Sequence, residues 1–551
     1  MKKHNLFLVL SLALTANLFA QLKQDFDPEK ITKILYQHSN DDLPGLAVGI
    51  VKDGQITYEH YLGYANLEHK IEVNKNTRFN IASNAKQFTA LCILKLIDQG
   101  KLNLNDDFRK YLPGIHENIQ HKITISNLLT HTSGIRDYCD LMALKGKSWW
   151  RQFIDNADVM ELLKGQKDLN FIPGTEYVYS NSNYILLTEI VKEVTGQNFG
   201  IFAETMFEEL DMTNTNFLTK YSEIIPNKAR PYGNWNGWRE EPTITDVHGD
   251  GALYTNLQDQ LKWEQIVQEN DGKYLSEKLI NESQSPLNSS IENGYGYGLF
   301  FDTYNELNYV FHDGVTGAFN ATFLRFPTEK LSIVVMSNNR NVPANYLAWQ
   351  VVDQVMGLEK DNKAYPEDPE EIEEIKSIQD ILGYYKKDEG SLIRITEKDG
   401  SVYREIYQRD PVKLINEEGG LFAYETIQGL KMNFTNIGQP DQKFTIYGLG
   451  QKPASYAKLP NTTLGIFDKN DLNGRFYNDE TDTEIILQYV EDDSYTLTKN
   501  GRERMSKLIM QDYLRMMDSY HIKVIRDNDN NVIGLNVENR RIKNVIFNKT
   551  D

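Results

Sequence analysis

The sequence is poor in cysteine and in basic side chains. Its 2 cysteines in 551 residues cannot form a disulfide framework, and their spacing matches no zinc-binding pattern. Acidic residues outnumber basic ones by 78 to 59, and the formal net charge of −19 argues against nucleic acid or an anionic membrane surface as the main partner. Beyond the N-terminus, no apolar run is long enough to cross a bilayer. We therefore expect a globular protein with no membrane span in the mature chain and no nucleic-acid partner.

Several motifs of common hydrolases and nucleotide enzymes are also missing. The chain has no His-Glu-x-x-His, no Gly-x-Ser-x-Gly and no phosphate-binding loop. The sequence therefore does not support a zinc protease, an α/β-hydrolase or a P-loop enzyme. We expect no metal and no cofactor. The partner that remains is a small-molecule or short-peptide substrate, and the sequence leaves the oligomeric state open.

The N-terminus has the layout of a secretory signal peptide. Lys2 and Lys3 are followed by an apolar stretch from Leu6 to Ala16, and the small residue Ala20 stands at the expected cleavage position. An uncleaved membrane anchor would need about 20 apolar residues, more than this stretch supplies. We expect residues 1–20 to be removed after export across the inner membrane, with the mature protein in the periplasm.

Residues 21–358 alternate helical and strand patterns, as an α/β (α+β) domain does. A hairpin is predicted at 45–58, where two strand-like runs flank a Lys-Asp-Gly turn. A second group of strands is predicted at 295–336, and the chain between the two groups consists mainly of helices and loops. The simplest chain path is an antiparallel sheet built from both ends, with a helical insertion.

The last third of the chain predicts two small all-β domains. An acidic stretch with two prolines at 359–376 is typical of a linker. The segment Asp380-Ile-Leu-Gly-Tyr-Tyr is echoed about 90 residues later by Asp471-Leu-Asn-Gly-Arg-Phe-Tyr, and an alternating strand follows each copy. Residues 377–460 and 465–551 are therefore expected to form two successive barrel-like domains.

The strongest chemical motif is Ser83-x-x-Lys86, at the start of an apolar-periodic helix that ends near Gly100. A serine in the first turn lies near the positive end of the helix dipole, where a developing anion is stabilised. Lys86 follows one turn later on the same face, so its amine can approach the Ser83 hydroxyl and, when unprotonated, accept its proton. The same spacing recurs at Ser455 and Lys458 in the predicted β region, which shows that the motif alone is weak evidence.

A tyrosine and an asparagine form a second candidate group. Tyr179-Ser-Asn181 lies on a turn between a Pro-Gly pair and an apolar helix. A phenolic oxygen beside a lysine can share a proton with it, and an asparagine amide can hold the lysine and donate to a substrate carbonyl. Two other stretches have the same spacing but lack that turn and helix: Tyr232-Gly-Asn234 and Tyr254-Thr-Asn256.

The third group is His312-Asp-Gly314-Val315-Thr-Gly317, between two predicted strands. Its two glycines would let an edge strand come close to a ligand. The backbone amide of Val315 would then pair with that of Ser83 to form an oxyanion hole.

These three groups resemble, in their order along the chain, the three motifs of the serine β-lactamase and penicillin-binding protein superfamily. The groups are Ser83-x-x-Lys86, Tyr179-Ser-Asn181 and His312-x-Gly314. The resemblance is to the class C β-lactamase, DD-carboxypeptidase and D-aminopeptidase side of the superfamily. It covers roughly residues 25–358 and includes the stretches 128–135 and 249–259. It implies a β-lactamase/transpeptidase-like fold for this domain, and the two barrels that follow are similar in layout to D-aminopeptidases.

The resemblance also implies a role for each residue. Ser83 would be the nucleophile, with Lys86 and Tyr179 as the proton-transfer pair. Asn181 would position the substrate amide, and His312 would contact the substrate carboxylate or the tyrosine. Where class C β-lactamases have Lys-Thr-Gly, this chain has His312-Asp-Gly314, which is more similar to the His-x-Gly of certain DD-carboxypeptidases, D-aminopeptidases and esterases.

We accordingly expect an exported serine hydrolase that forms an acyl-enzyme on Ser83 and acts on D-amino-acid or cell-wall-type peptides. A β-lactamase or carboxylesterase of the same superfamily is the first alternative. The second is a catalytically silent, penicillin-binding-like module that senses cell-wall fragments.

Overall fold

The structure is a computed structural model. It describes residues 26–148, 152–287, 294–304, 307–358, 369, 372–387, 391–406, 410–418, 420–425, 430–448, 453–460, 468–516 and 520–550. The predicted signal peptide at 1–20 and most of the predicted linker at 359–376 lie outside these ranges.

Helices, loops and a few short strands make up the chain between the two predicted strand groups. The helix ends follow local sequence: Asp27 caps the first helix by accepting the Glu29 N–H, and Gly196 ends another in the left-handed conformation with φ 70°. No helix in the described part of the chain is both long and apolar enough to cross a membrane. The α-helices are α1 Pro28–His38, α2 Lys86–Asp98, α3 Ile125–Leu129, α4 Tyr138–Leu144, α5 Asn156–Lys164, α6 Asn181–Thr195, α7 Phe199–Glu209, α8 Leu257–Glu269, α9 Glu277–Ser283, α10 Ala344–Met356 and α11 Ile378–Ile381, with 3-10 turns at Ala82–Ala85, Phe108–Lys110 and Lys469–Leu472.

The sheet of the first domain is antiparallel and is assembled from both ends of the domain, as predicted. Its strand order is β10-β11-β12-β13-β14-β1-β2. Strand β12, which carries His312 and Gly314, lies inside the sheet between β11 and β13, so the prediction of an edge strand there was wrong. The strands of this domain are β1 Leu46–Lys52, β2 Gln55–Leu62, β3 Tyr64–Asn66, β4 Ile71–Glu72, β5 Phe79–Asn80, β6 Asn216–Phe217, β7 Tyr232–Asn234, β8 Trp238–Glu240, β9 Leu253–Thr255, β10 Tyr295–Gly296, β11 Leu299–Tyr304, β12 Leu307–Thr316, β13 Phe319–Phe326 and β14 Leu331–Ser337.

Helices cover both faces of this sheet, which explains why β1 is apolar along nearly its whole length. Val48 and Ile50 belong to the apolar cluster that includes α1 and α10, whereas Ala47 and Val51 belong to the cluster that includes α2 and α8. A Cβ on Gly49 would lie 2.7 Å from the Leu261 side chain, so the glycine lets α8 pack closely on the sheet. The sheet and α2 thus form one rigid support for the residues at the start of α2.

Each copy of the sequence repeat begins a closed barrel of eight described strands. The apolar core of the first barrel forms a cluster of its own, whereas that of the second barrel is continuous with the core of the first domain. The first barrel consists of β15 Gly383–Lys386, β16 Leu392–Lys398, β17 Ser401–Glu405, β18 Val412–Glu418, β19 Leu421–Tyr424, β20 Leu430–Thr435, β21 Lys443–Gly448 and β22 Ala454–Lys458, and the second of β23 Gly474–Asn478, β24 Thr483–Glu491, β25 Ser494–Lys499, β26 Arg502–Met510, β27 Tyr513–Arg515, β28 His521–Arg526, β29 Val532–Glu538 and β30 Val545–Lys549.

Candidate active site

Ser83 lies in a 3-10 turn that leads directly into α2. The turn spans Ala82–Ala85, and Ala82 before the serine has a left-handed backbone with φ 49°. Such a conformation is unfavourable for alanine and is maintained by the surrounding structure. Lys86 begins α2, and its Nζ donates to Ser83 Oγ over 3.2 Å. The predicted approach of the two side chains is therefore present in the structure.

The Lys86 amine is buried and fixed by three acceptors. Besides Ser83 Oγ, Nζ donates to Asn181 Oδ1 at 2.9 Å and to the Asp250 carbonyl oxygen at 2.6 Å. Nζ therefore has three oxygen partners at hydrogen-bonding distance. The structure thus brings together Ser83, Lys86 and Asn181, and Asp250 adds a backbone contact from the stretch 249–259.

Asp137 fixes the orientation of Asn181. Its Oδ2 accepts the Asn181 backbone N–H at 2.7 Å and the Asn181 Nδ2–H at 3.0 Å, which leaves Asn181 Oδ1 directed at Lys86. Its Oδ1 accepts the Cys139 N–H at 2.9 Å and caps α4. The sequence analysis missed this carboxylate, although an Asp before an apolar helical run is an N-cap signal.

Tyr179 lies beside the lysine at the edge of the cleft. Its half-buried ring centroid is 5.0 Å from Lys86 Nζ and 4.3 Å from the centroid of the His131 ring. The two rival triplets have other contacts: the Tyr232 hydroxyl accepts the Leu67 N–H, and Asn256 caps α8. The geometry favours Tyr179 over both.

The surroundings of His312 favour its neutral form. Its Nδ1 faces the Asp313 carbonyl oxygen at 2.7 Å and must donate, so Nε2 is left as the acceptor for the Tyr295 hydroxyl at 3.4 Å. Burial, together with the charge of Lys86, lowers the pKa of His312 to about 3. A neutral imidazole supplies no positive charge for a substrate carboxylate, so that implied contact could not be an ion pair.

Gly314 lets β12 cross directly over the nucleophile turn. A Cβ at this position would lie 2.2 Å from the Ile81 carbonyl oxygen and 3.1 Å from Ala82 Cβ. The close approach is therefore to backbone of the protein and not to a ligand. Val315 follows at the cleft with a side chain that is 66% exposed. An oxyanion hole formed by the amides of Ser83 and Val315 stays a prediction.

A sequence model of the Beta-lactamase family matches residues 17–356, more than half of the chain. The chain belongs to the Beta-lactamase family.

Relatives of this Beta-lactamase family member have several different names. Protein flp of Staphylococcus aureus strain N315 is 32% identical over 332 residues, which cover 56% of this chain and 63% of that protein. A D-aminopeptidase of Gluconobacter oxydans strain 621H is 28% identical over 322 residues, which cover 57% of this chain and 59% of the aminopeptidase. The chain thus spans about three fifths of the length of these relatives.

The solved structure of the octameric penicillin-binding protein homologue from Pyrococcus abyssi has the same fold. It superposes with a TM-score of 0.57 at 22% identity, covering 78% of this chain and 98% of that structure. The similarity therefore extends over more of the chain than the Beta-lactamase family match.

In this family member, the serine opens into a cleft of about 1110 Å³ that is lined by all three domains. Lys387 of the first barrel and Arg541 of the second lie in its walls. Arg541 Nη1 is 3.6 Å from Asp137 Oδ2, and its guanidinium carbon is 5.0 Å from the centroid of the Tyr179 ring. No signal in a single sequence could have assigned Arg541 to the site. Among the described residues, no three His, Cys, Asp or Glu side chains are grouped as metal ligands would be.

Proposed function

We propose that the protein is an exported serine hydrolase that forms an acyl-enzyme on Ser83, and that its substrates are D-amino-acid or cell-wall-type peptides. The observation that carries this proposal is the placement of Lys86 Nζ within hydrogen-bonding distance of both Ser83 Oγ and Asn181 Oδ1. Export to the periplasm rests on the N-terminal sequence pattern alone.

The acylation step follows from the positions of these side chains. Ser83 Oγ bonds to the substrate carbonyl carbon while its proton passes to the Lys86 amine, which accepts it in its unprotonated form, and Tyr179 lies beside this amine to share the proton. The same pair then returns a proton to the leaving nitrogen as the C–N bond breaks. Water attacks the ester in the second half-reaction and releases the acid and the free serine.

The substrate class is supported by the neutral third motif and by the relatives. Because His312 carries no charge at neutral pH, the site lacks the permanent cation of a Lys-Thr-Gly motif at that position. One relative is a D-aminopeptidase by name, and a solved structure of the same fold is a D-stereospecific amidohydrolase of Streptomyces. Both names favour amides of D-amino acids over β-lactams or esters.

The test combines a covalent probe with parallel substrates. A fluorophosphonate should label the purified protein at Ser83, and Ser83→Ala should abolish the label, while Ser276→Ala, which removes a helix cap outside the cleft, should retain it. Turnover should be highest for a D-alanine anilide or a D-Ala-D-Ala peptide, and lower for nitrocefin and a short-chain nitrophenyl ester. Folded protein that takes no label and turns over none of the four would contradict the proposal and favour the silent wall-sensing module.

A further inference from the structure

We propose that Arg541 of the second barrel is a positioning residue of the catalytic centre. It neutralises the buried carboxylate of Asp137, which orients Asn181, and it lies beside the ring of Tyr179. The second barrel would then be part of the catalytic machinery and more than a spacer. This inference rests on the proposed function, because it assigns Arg541 a role in the reaction of Ser83.

The loop that carries Arg541 is ordered by its own hydrogen bonds. Residues 539–544 connect β29 to β30. Asn539 Oδ1 accepts the N–H groups of Arg541 and Ile542 at 2.8 and 2.9 Å, and the Asn539 N–H donates to the Ile542 carbonyl oxygen at 2.8 Å. Hydrogen bonds within the loop therefore order the backbone at Arg541 independently of its contacts with the first domain.

The first domain holds this loop through buried side chains. Asn170 Nδ2 donates to the Arg541 carbonyl oxygen at 2.9 Å, and Asn170 Oδ1 accepts the Lys543 N–H at 2.7 Å. Arg136 donates to the carbonyl oxygens of Lys543 and Asn544 at 3.0 and 2.6 Å. These hydrogen bonds fix the loop relative to the active site, so Arg541 has a defined position there.

The electrostatics of Asp137 explain why a cation is needed at that position. The Asp137 side chain is 0% exposed, and a buried carboxylate without a counter-charge is strongly unfavourable. Within the described residues, the ion pair of Asp137 is the one with Arg541. Burial alone would lower the pKa of Arg541, but the carboxylates of Asp137 and Asp140 outweigh it and raise that pKa. Arg541 therefore keeps its proton and its charge.

Arg541 also adds a second positive charge beside the proton-transfer residue. Its guanidinium carbon and Lys86 Nζ are each 5.0 Å from the centroid of the Tyr179 ring. Positive charges placed in advance stabilise the negative charge that develops on the phenolic oxygen as its proton passes to the leaving group. Loss of Arg541 should slow acylation itself and should not weaken the binding of an uncharged substrate.

The test compares three variants on a probe and a substrate that carry no carboxylate. Arg541→Met keeps the length of the side chain and removes the charge, Arg541→Lys restores a charge, and Arg526→Met removes a partly buried arginine paired with Asp512 elsewhere in the same barrel. We expect the fluorophosphonate labelling rate of Arg541→Met to fall at least tenfold. Its kcat for a nitrophenyl ester should fall likewise, with KM within twofold of wild type. Arg541→Lys should recover most of the rate, and Arg526→Met should stay within twofold.

A second measurement does not depend on activity. The Asn181 backbone N–H donates to Asp137, so its hydrogen exchange reports whether that carboxylate is still in place. We expect exchange at Asn181 to rise at least tenfold in Arg541→Met and to stay unchanged in Arg526→Met. If wild type takes no label but this rise occurs, the proposed function fails and the positioning role survives.

Three outcomes would overturn the inference itself. One is an Arg541→Met protein with wild-type labelling and wild-type exchange at Asn181. Another is a variant in which only the KM for carboxylate-bearing substrates rises while kcat is unchanged, which would make Arg541 a substrate ligand. The third is an equal loss in Arg526→Met, which would trace the effect to the stability of the barrel.

Discussion

At the scale of single residues, burial and hydrogen bonding set the electrostatics of the cleft. Lys86 is buried, and its Nζ lies within hydrogen-bonding distance of three oxygen atoms, which replace the water that burial removes. His312 is also buried and lies near Lys86, and both effects lower its pKa and favour the neutral imidazole. The polarity of the cleft is thus set by the surroundings of each group and not by the residue types alone.

The neutral state of His312 predicts a specific pH dependence of stability. Its pKa is about 3 in the folded protein and near 6.5 when unfolded, so below pH 6.5 the unfolded chain gains a proton that the folded protein does not bind. Stability therefore falls as the pH drops from 6.5 towards 3. In His312→Gln the loss between pH 6.5 and 4.5 should be smaller by roughly 2 to 3 kcal/mol.

Urea unfolding at a series of pH values measures this difference. His69 is exposed, and His69→Gln serves as the control that should leave the pH profile as in wild type. An unchanged profile in His312→Gln would mean that His312 titrates normally in the folded protein.

At the scale of elements, the site depends on how closely β12 crosses the turn before α2. The sequence pattern identified Gly314 as a point of close approach. A glycine in a sequence does not reveal, however, which group occupies the space that a side chain would otherwise fill. Strand order decides that, and strand order depends on contacts between distant segments that a local pattern does not contain. The Ile81 carbonyl oxygen occupies the space, where a ligand beside an edge strand was expected.

Gly314→Ala should therefore separate the strand from the nucleophile turn. A backbone carbonyl 2.2 Å from the new Cβ cannot rotate away, and such overpacking costs about 1 to 3 kcal/mol. We expect a lower melting temperature and a rate of Ser83 labelling reduced at least tenfold. Gly294→Ala, whose Cβ would meet its neighbours at an ordinary 3.5 Å, is the matched control. Equal labelling of the two variants would show that the turn tolerates a displaced strand.

At the scale of the whole molecule, the three domains were predictable from the sequence and their docking was not. Ser83 and Lys86 are one helical turn apart, and the repeated Asp-x-x-Gly segments each start a barrel, so local patterns sufficed for both. Asp137 and Arg541 come from distant parts of the chain and meet only because the second barrel packs on the first domain. No periodicity or spacing encodes that contact.

The same docking makes Arg136 the anchor between the second barrel and the active site. Its side chain is 0% exposed, and it pairs with Glu480 of the barrel at 2.5 Å while donating to the carbonyl oxygens of Lys543 and Asn544. Arg136→Met leaves these groups buried without their donor, and breaking a buried ion pair in this way costs about 3 to 5 kcal/mol.

Because the lost contacts lie at the domain interface, the effect should appear first in the docked loop. Hydrogen exchange of residues 539–544 should rise at least tenfold, and Ser83 labelling should slow with it, while most barrel strands keep their protection. Arg475→Met, which removes an exposed pair with Glu484 on the same barrel, should change neither. If Arg136→Met lowered overall stability with normal exchange in the loop, Arg136 would stabilise the first domain alone. The barrel would then be docked by its shared apolar core, and the catalytic centre would not depend on this ion pair.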